Sequence, residues 1–118
     1  QAFRAKLAAA RTLTPRLRRL LDSQRSLISI EEAAPKLHLS VSTLKRRLAE
    51  AGTSFRALRE AVLQDRALLL LGDRSLSLES IAGRLGYSDL ANFSHAFKRW
   101  TGTSPGLFRR RACEAAAR

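Results

Sequence analysis

Three consecutive cations, Lys45-Arg46-Arg47, follow two small hydroxyl residues, Ser42 and Thr43. On a helix, Ser42, Lys45 and Arg46 share one face by i, i+3, i+4 spacing, while Leu44 and Leu48 face inward. An arginine so placed can fork onto O6 and N7 of guanine, and the lysine beside it can do the same or hold a phosphate. A second stretch offers different chemistry: Ala91, Asn92, Ser94, His95, Lys98 and Arg99 interleave with Phe93 and Phe97. Asn92 can pair with N6 and N7 of adenine, Ala91 can meet a thymine methyl, and His95 can donate to a base or a phosphate. No arginine leads this second face, so it is expected to read sequence weakly and to act mainly as a phosphate anchor. Its aromatic residues, Trp100 included, stand at helical spacing and point to packing rather than to base stacking. The Lys45–Arg47 run also suits a plain solvated face.

Nothing in the chain assembles a reaction centre. His38 and His95 lie in separate stretches, and there is no Ser/His/Asp or Cys/His grouping and no Gly-rich phosphate loop. The single cysteine, Cys113, sits in an Ala-rich tail as an idle thiol, and two histidines with one cysteine make no zinc cluster. No enzyme activity, metal or cofactor is expected.

Charge narrows the partner. The 118 residues carry 22 Lys+Arg against 10 Asp+Glu, a formal net charge of +12, with an isoelectric point near 11.6. Such a surplus attracts polyanions, nucleic acid first and an acidic membrane surface second. Arginine supplies 18 of the 22 cations, and its planar fork suits phosphate and guanine better than lysine's point charge. With 45% hydrophobic residues the chain can bury a core and is not a disordered basic tail. The longest dense apolar run, Ala67–Leu71, falls far short of the roughly 18 residues of a transmembrane span, and no signal-peptide pattern is evident. The first residue is Gln, which suggests a fragment whose companion segment is missing. A cytoplasmic, reducing location is expected.

The elements that must position these faces read as helices throughout. Residues 1–13, Ala-rich and able to form a helix, read as a linker or the tail of a missing upstream domain, and Thr14-Pro15 is an N-cap with a first-turn proline. Leu17, Leu20 and Leu21 then stripe a short helix ending near Ser23. Ser29 with Glu32 makes a capping box for a helix through Leu37. After His38-Leu39-Ser40, a third helix runs from Val41 to about Ala51 and stops at Gly52. Ser54 caps a long fourth helix through Leu71. Ser77 starts a fifth, Asp89 to Thr101 forms a sixth, and Ser104-Pro105 opens a short seventh ending in Arg109-Arg110-Arg111. Residues 112–118 are left as a tail.

One pattern occurs twice. Ser29 to Ser40 matches Ser77 to Ser88 at an offset of 48, Leu44 and Leu48 match Phe93 and Phe97 at 49, and Gly52-Thr53-Ser54 matches Gly102-Thr103-Ser104 at 50. Each copy is a short helix, a tight turn and a longer helix, the layout of a helix-turn-helix whose second helix enters a major groove. Small residues, Ala34 and Ala82, let the paired helices cross steeply. The expected architecture is all-α: a seven-helix domain over 14–111, with units at 29–52 and 77–102 joined by a long central helix at 54–71. Eighteen residues at 1.5 Å each span about 27 Å, so with flanking turns the recognition helices can stand roughly 34 Å apart, one turn of B-DNA.

The stretch Gly86-Tyr87-Ser88-Asp89-Leu90-Ala91-Asn92-Phe93-Ser94-His95-Ala96-Phe97-Lys98-Arg99-Trp100-Thr101-Gly102-Thr103-Ser104-Pro105 resembles the signature of the AraC/XylS family of bacterial transcription factors, and Leu39–Phe55 is similar to its less uniform first unit. The resemblance covers about Thr14 to Arg111. It implies promoter double-stranded DNA as the ligand, RNA polymerase as a partner, and an absent N-terminal domain for effector sensing and dimerisation. It also implies that Ser42, Lys45 and Arg46 face bases. Pro35, inside the first helix of the first unit, departs from the pattern: it can kink that helix or delay its start, and a harmless local distortion is the preferred reading.

The base-contacting candidates are thus Ser42, Thr43, Lys45, Arg46, Ala91, Asn92 and His95. The phosphate-contacting candidates include the helix starts at Ser29, Ser77 and Ser104, where the helix dipole favours anions. They also include Arg47, Arg56, Ser94, Lys98, Arg99, Arg109 and Arg110. The rival class is a basic helical module for protein or membrane surfaces, which would gather its arginines on one long amphipathic face. Here they are spread among short capped helices.

Overall fold

The computed structural model describes residues 2–24 and 27–117, with side chains over 12–24 and 27–116. Among these residues there are seven α-helices and no strand: α1 (Ala2–Ser23), α2 (Ile30–Lys36), α3 (Val41–Glu50), α4 (Phe55–Leu71), α5 (Leu78–Arg84), α6 (Leu90–Thr101) and α7 (Pro105–Ala117). The ends of the two expected tail segments, Gln1 and Arg118, lie outside the described residues.

Each helix after α1 starts at a side-chain oxygen that accepts the N–H three residues on, satisfying one of the donors that a helix start leaves free. Ser29 accepts from Glu32 at 3.2 Å, Ser40 from Thr43 at 3.1 Å, and Ser54 from Ala57 at 3.1 Å. Ser77 accepts from Ser80 at 3.0 Å, Asp89 from Asn92 at 2.8 Å, and Ser104 from Leu107 at 3.2 Å. The Ser29 hydroxyl also lies 3.3 Å from Oε1 of Glu32, so the expected capping partner is in place. Gly52 and Gly102 close α3 and α6 with φ of 80° and 82°, a left-handed turn that a side chain would strain.

The chain forms two compact units, Gln1–Val62 and Leu63–Arg118. In the first, Leu13, Leu17 and Leu21 of α1 bury one stripe together with Ala33, Ala34 and Leu37, Leu44 and Leu48 of α3, and Leu58 and Val62 of α4. In the second, Leu63, Ala67 and Leu71 of α4, Ile81 and Ala82 of α5, Leu85, and Phe93, Ala96 and Phe97 of α6 are buried, with Pro105. Phe97 meets Phe93, Trp100 and Phe108 edge-on, with ring centroids 5.8, 6.3 and 5.5 Å away. The aromatic set is packing, as its spacing predicts. Edge-to-face pairs of this kind add about 0.5–1.5 kcal/mol each beyond burial.

The twofold pattern is carried by the backbone. Leu39 N–H donates to the Ala34 carbonyl and Tyr87 N–H to the Ala82 carbonyl, both at 3.0 Å. His38 N–H donates to Pro35, and Gly86 N–H to Gly83, at 3.0 and 3.1 Å. Both turns are left-handed, with φ of 59° at His38 and 90° at Gly86. The second turn holds one residue more before its cap, Asp89 against Ser40, which is where the offset moves from 48 to 49.

Two expectations change. The first helix does not start at Thr14-Pro15: α1 runs unbroken from Ala2, with Pro15 inside it. Leu13 lies one turn before Leu17 on the buried stripe, and burying it favours continuation through the proline. At the other end, α7 does not stop at Arg111 but extends to Ala117, because alanine sustains a helix without an apolar stripe. By contrast, α2 begins directly after Ser29, and Pro35 sits harmlessly in its last turn, where its carbonyl still accepts from His38. Its start is not delayed.

Candidate nucleic-acid interface

The outer face of α3 follows from what its inner face buries. Leu44 and Leu48 are fully buried, so Ser42 and, about one turn on, the adjacent Lys45 and Arg46 are left exposed. Arg47 and Thr43 are half-buried. The first turn of α3 contains no acidic residue, so nothing there opposes an approaching anion. Two long cations and one hydroxyl on a rigid, capped helix can grip base edges and a backbone phosphate together.

On α6, burial of Phe93, Ala96 and Phe97 exposes Ala91, Asn92, His95, Lys98 and Arg99, with Ser94 half-buried. Counting from each cap, Ala91 stands where Ser42 does, Ser94 where Lys45 does, and His95 where Arg46 does. The second helix therefore presents shorter, less cationic groups at the same places. Its cations, Lys98 and Arg99, come in its last turn.

Two of the proposed base readers are drawn into the caps. Thr43 Oγ1 accepts from the Ser40 hydroxyl at 2.9 Å, and Asn92 Nδ2 donates to Ser88 Oγ at 2.7 Å. Both occupy the third helical position, whose side chain can fold back over the preceding turn. There they brace the helix starts. Ser40, Ser88 and Asp89, absent from the sequence-derived site, belong to it as caps. A polar residue three places before Thr43 or Asn92 was the available signal.

The phosphate candidates divide by their surroundings. Ser104 caps α7, whose first turn carries no acidic residue. Ser29 and Ser77 cap helices whose first turns carry Glu31 and Glu32, and Glu79. Those carboxylates make the Ser29 and Ser77 helix starts less favourable to a phosphate than the Ser104 start. The Arg56 side chain is 83% exposed, with Nε 3.6 Å from half-buried Glu60, and so long an ion pair at the surface yields easily. Arg110 is exposed. Arg109 is engaged within its own unit: its Nε, Nη1 and Nη2 donate to the carbonyls of Leu71, Leu76 and Asp73 at 3.2, 2.8 and 3.3 Å. A guanidinium so engaged is turned to its own backbone. Below it, Asp73 Oδ1 accepts from the Ser75 hydroxyl and N–H. Those bonds, with Arg84 and Arg109 nearby, hold the Asp73 carboxyl below its ordinary range.

Among the described residues no helix is long and apolar enough to cross a membrane. The helix-turn-helix domain family matches residues 33–111. An uncharacterized HTH-type transcriptional regulator of Mycobacterium tuberculosis is 45% identical over 80 residues, 68% of this chain and 23% of that protein. The transcriptional regulator CdpR from Pseudomonas aeruginosa superposes with a TM-score of 0.80 at 41% identity, over 83% of this chain and 31% of that one. The DNA-binding domain of AdpA, solved in complex with a target DNA, shares the fold with a TM-score of 0.66 at 24% identity, over 92% and 95% of the two chains. The chain spans about a quarter to a third of the length of the curated relatives it matches. Two capped helix-turn-helix units with basic outer faces, matched across this length, make the chain a member of the AraC-type helix-turn-helix family of DNA-binding transcriptional regulators.

Proposed function

We propose that this chain is the promoter-reading part of a bacterial transcription regulator, placing α3 and α6 in successive major grooves of one duplex. The observation that carries the reading is the exposed Ser42–Lys45–Arg46 face of α3, backed by buried Leu44 and Leu48. Arg46 reads guanine through O6 and N7, Lys45 a neighbouring base or phosphate, and Ser42 either. On α6, Ala91 meets a thymine methyl and His95 a base or phosphate, so this half of the site is read loosely. Arg47, Arg56, Ser94, Lys98, Arg99, Ser104 and Arg110 hold phosphates and set register. A 17-residue α4 links the two units in the chain.

The remaining length of its relatives leaves room for effector sensing and dimerisation elsewhere in the full protein, and for contact with RNA polymerase. Its place of action is the cytoplasm, where the promoter is. The test is selection from random duplexes with the 118-residue chain, followed by footprinting. The reading expects two protected major-groove segments one helical turn apart, with a guanine required in the better-defined one. Retention of anionic vesicles without any selected duplex would refute it.

A further inference from the structure

Resting on that DNA-binding reading, we propose that Arg109 is a positioning residue for the second helix-turn-helix, governing how α6 meets DNA without touching it. Its guanidinium bridges three carbonyls within residues 71–76: Leu71 at 3.2 Å, Asp73 at 3.3 Å and Leu76 at 2.8 Å. Leu71 is the last residue of α4, where helix carbonyls lack partners along the chain and favour a cation. Leu76 directly precedes Ser77, the cap of α5. One side chain thus ties the end of one helix to the start of the next.

The neighbours of Arg109 on α7 reach the same unit. Phe108 packs edge-on against Phe97 of α6, with ring centroids 5.5 Å apart. Gly106 lies against Leu78, the first residue of α5, such that an added Cβ would stand 3.5 Å from Leu78 Cδ1. Helix α7 therefore seats both helices of the second unit, Phe108 from behind the recognition helix and Arg109 through the loop that feeds its partner. Three donors spread across a planar fork are what three separated carbonyls require. A lysine ammonium keeps the charge but concentrates its donors at one point.

The experiment compares Arg109→Ala, Arg109→Lys and Arg110→Ala in the 118-residue chain, on a duplex selected by the unmodified protein, with folding checked by circular dichroism. Binding is followed against salt, and protection is mapped by hydroxyl-radical footprinting. We expect both Arg109 variants to bind about tenfold more weakly, roughly 1.4 kcal/mol, with the salt slope unchanged and protection lost over the α6 segment alone. Arg110→Ala should instead flatten the slope by about 0.9, as loss of one phosphate contact does. If Arg109→Ala flattens the slope and Arg109→Lys binds normally, Arg109 is a phosphate contact and the proposal fails. Unchanged affinity and footprint in the folded variants would leave Arg109 a role in stability only, which also overturns it. Should Arg109→Ala not fold, Arg109→Lys decides. Failure of the unmodified chain to select any duplex overturns the DNA-binding reading and this inference with it.

Discussion

Arg46 and His95 hold the same place in two helices built alike, six residues past their caps at Ser40 and Asp89. The longer cation can reach a guanine edge with two parallel N–H donors, whereas the two imidazole nitrogens diverge and cannot present such a pair. Arg46→Ala is therefore expected to cost about 1–3 kcal/mol at one position of the selected site and to relax preference there. Titrations on single-base variants of the duplex check this; equal weakening on every sequence would assign Arg46 to a phosphate. His38 poses a different residue-level question. Its φ of 59° places it where Gly86 sits in the second unit, at 90°. A left-handed conformation costs an L-residue about 1–2 kcal/mol, and glycine loses about 0.5–1 kcal/mol more on ordering. His38→Gly should accordingly stabilise the chain by about 0.5–1 kcal/mol in urea denaturation, and a loss of stability would show that the His38 side chain makes a contact worth more than its strain.

Helix boundaries were legible because caps and stops are local chemistry. Ser29, Ser54, Ser77 and Ser104 each precede a helix and bond its N–H three residues on, within one turn of the sequence. Helix α1 escaped that logic. Proline at position 15 looks like a helix start, yet Leu13 is buried on the same stripe as Leu17 and Leu21, and core packing outweighs the local signal. An interior proline removes one helix hydrogen bond, at a cost of about 3 kcal/mol in a regular helix. Since Pro15 is exposed, Pro15→Ala should raise stability by about 1–3 kcal/mol; thermal unfolding tests it, and no change would place the helix start at Thr14 after all. Helix α7 escaped for the opposite reason: residues 112–117 offer no apolar periodicity to read, only helix propensity.

The net charge of +12 belongs to the chain as a whole. With Arg109 engaged internally, the cations proposed to hold phosphates are Arg47, Arg56, Lys98, Arg99 and Arg110. Five neutralised phosphates imply a log–log slope of affinity against salt of about −4 to −5. A slope near zero in binding titrations across salt concentrations would contradict this assignment, and a much steeper one would bring in cations elsewhere, such as those of α1.

Periodicity and capping chemistry, which act over a few residues, were enough to establish the helices, the duplicated unit, the buried leucines and aromatics, and the outward faces carrying Lys45, Arg46 and His95. The destinations of individual polar side chains depended on folding. Arg109 finds carbonyls 33, 36 and 38 residues away, and no local pattern distinguishes it from its neighbour Arg110, which is exposed. Thr43 and Asn92 likewise sit on outward faces by spacing and turn to the caps by geometry. A hydrogen bond is made to whatever group arrives within about 3 Å, and for partners far apart along the chain that proximity is created only when the helices pack.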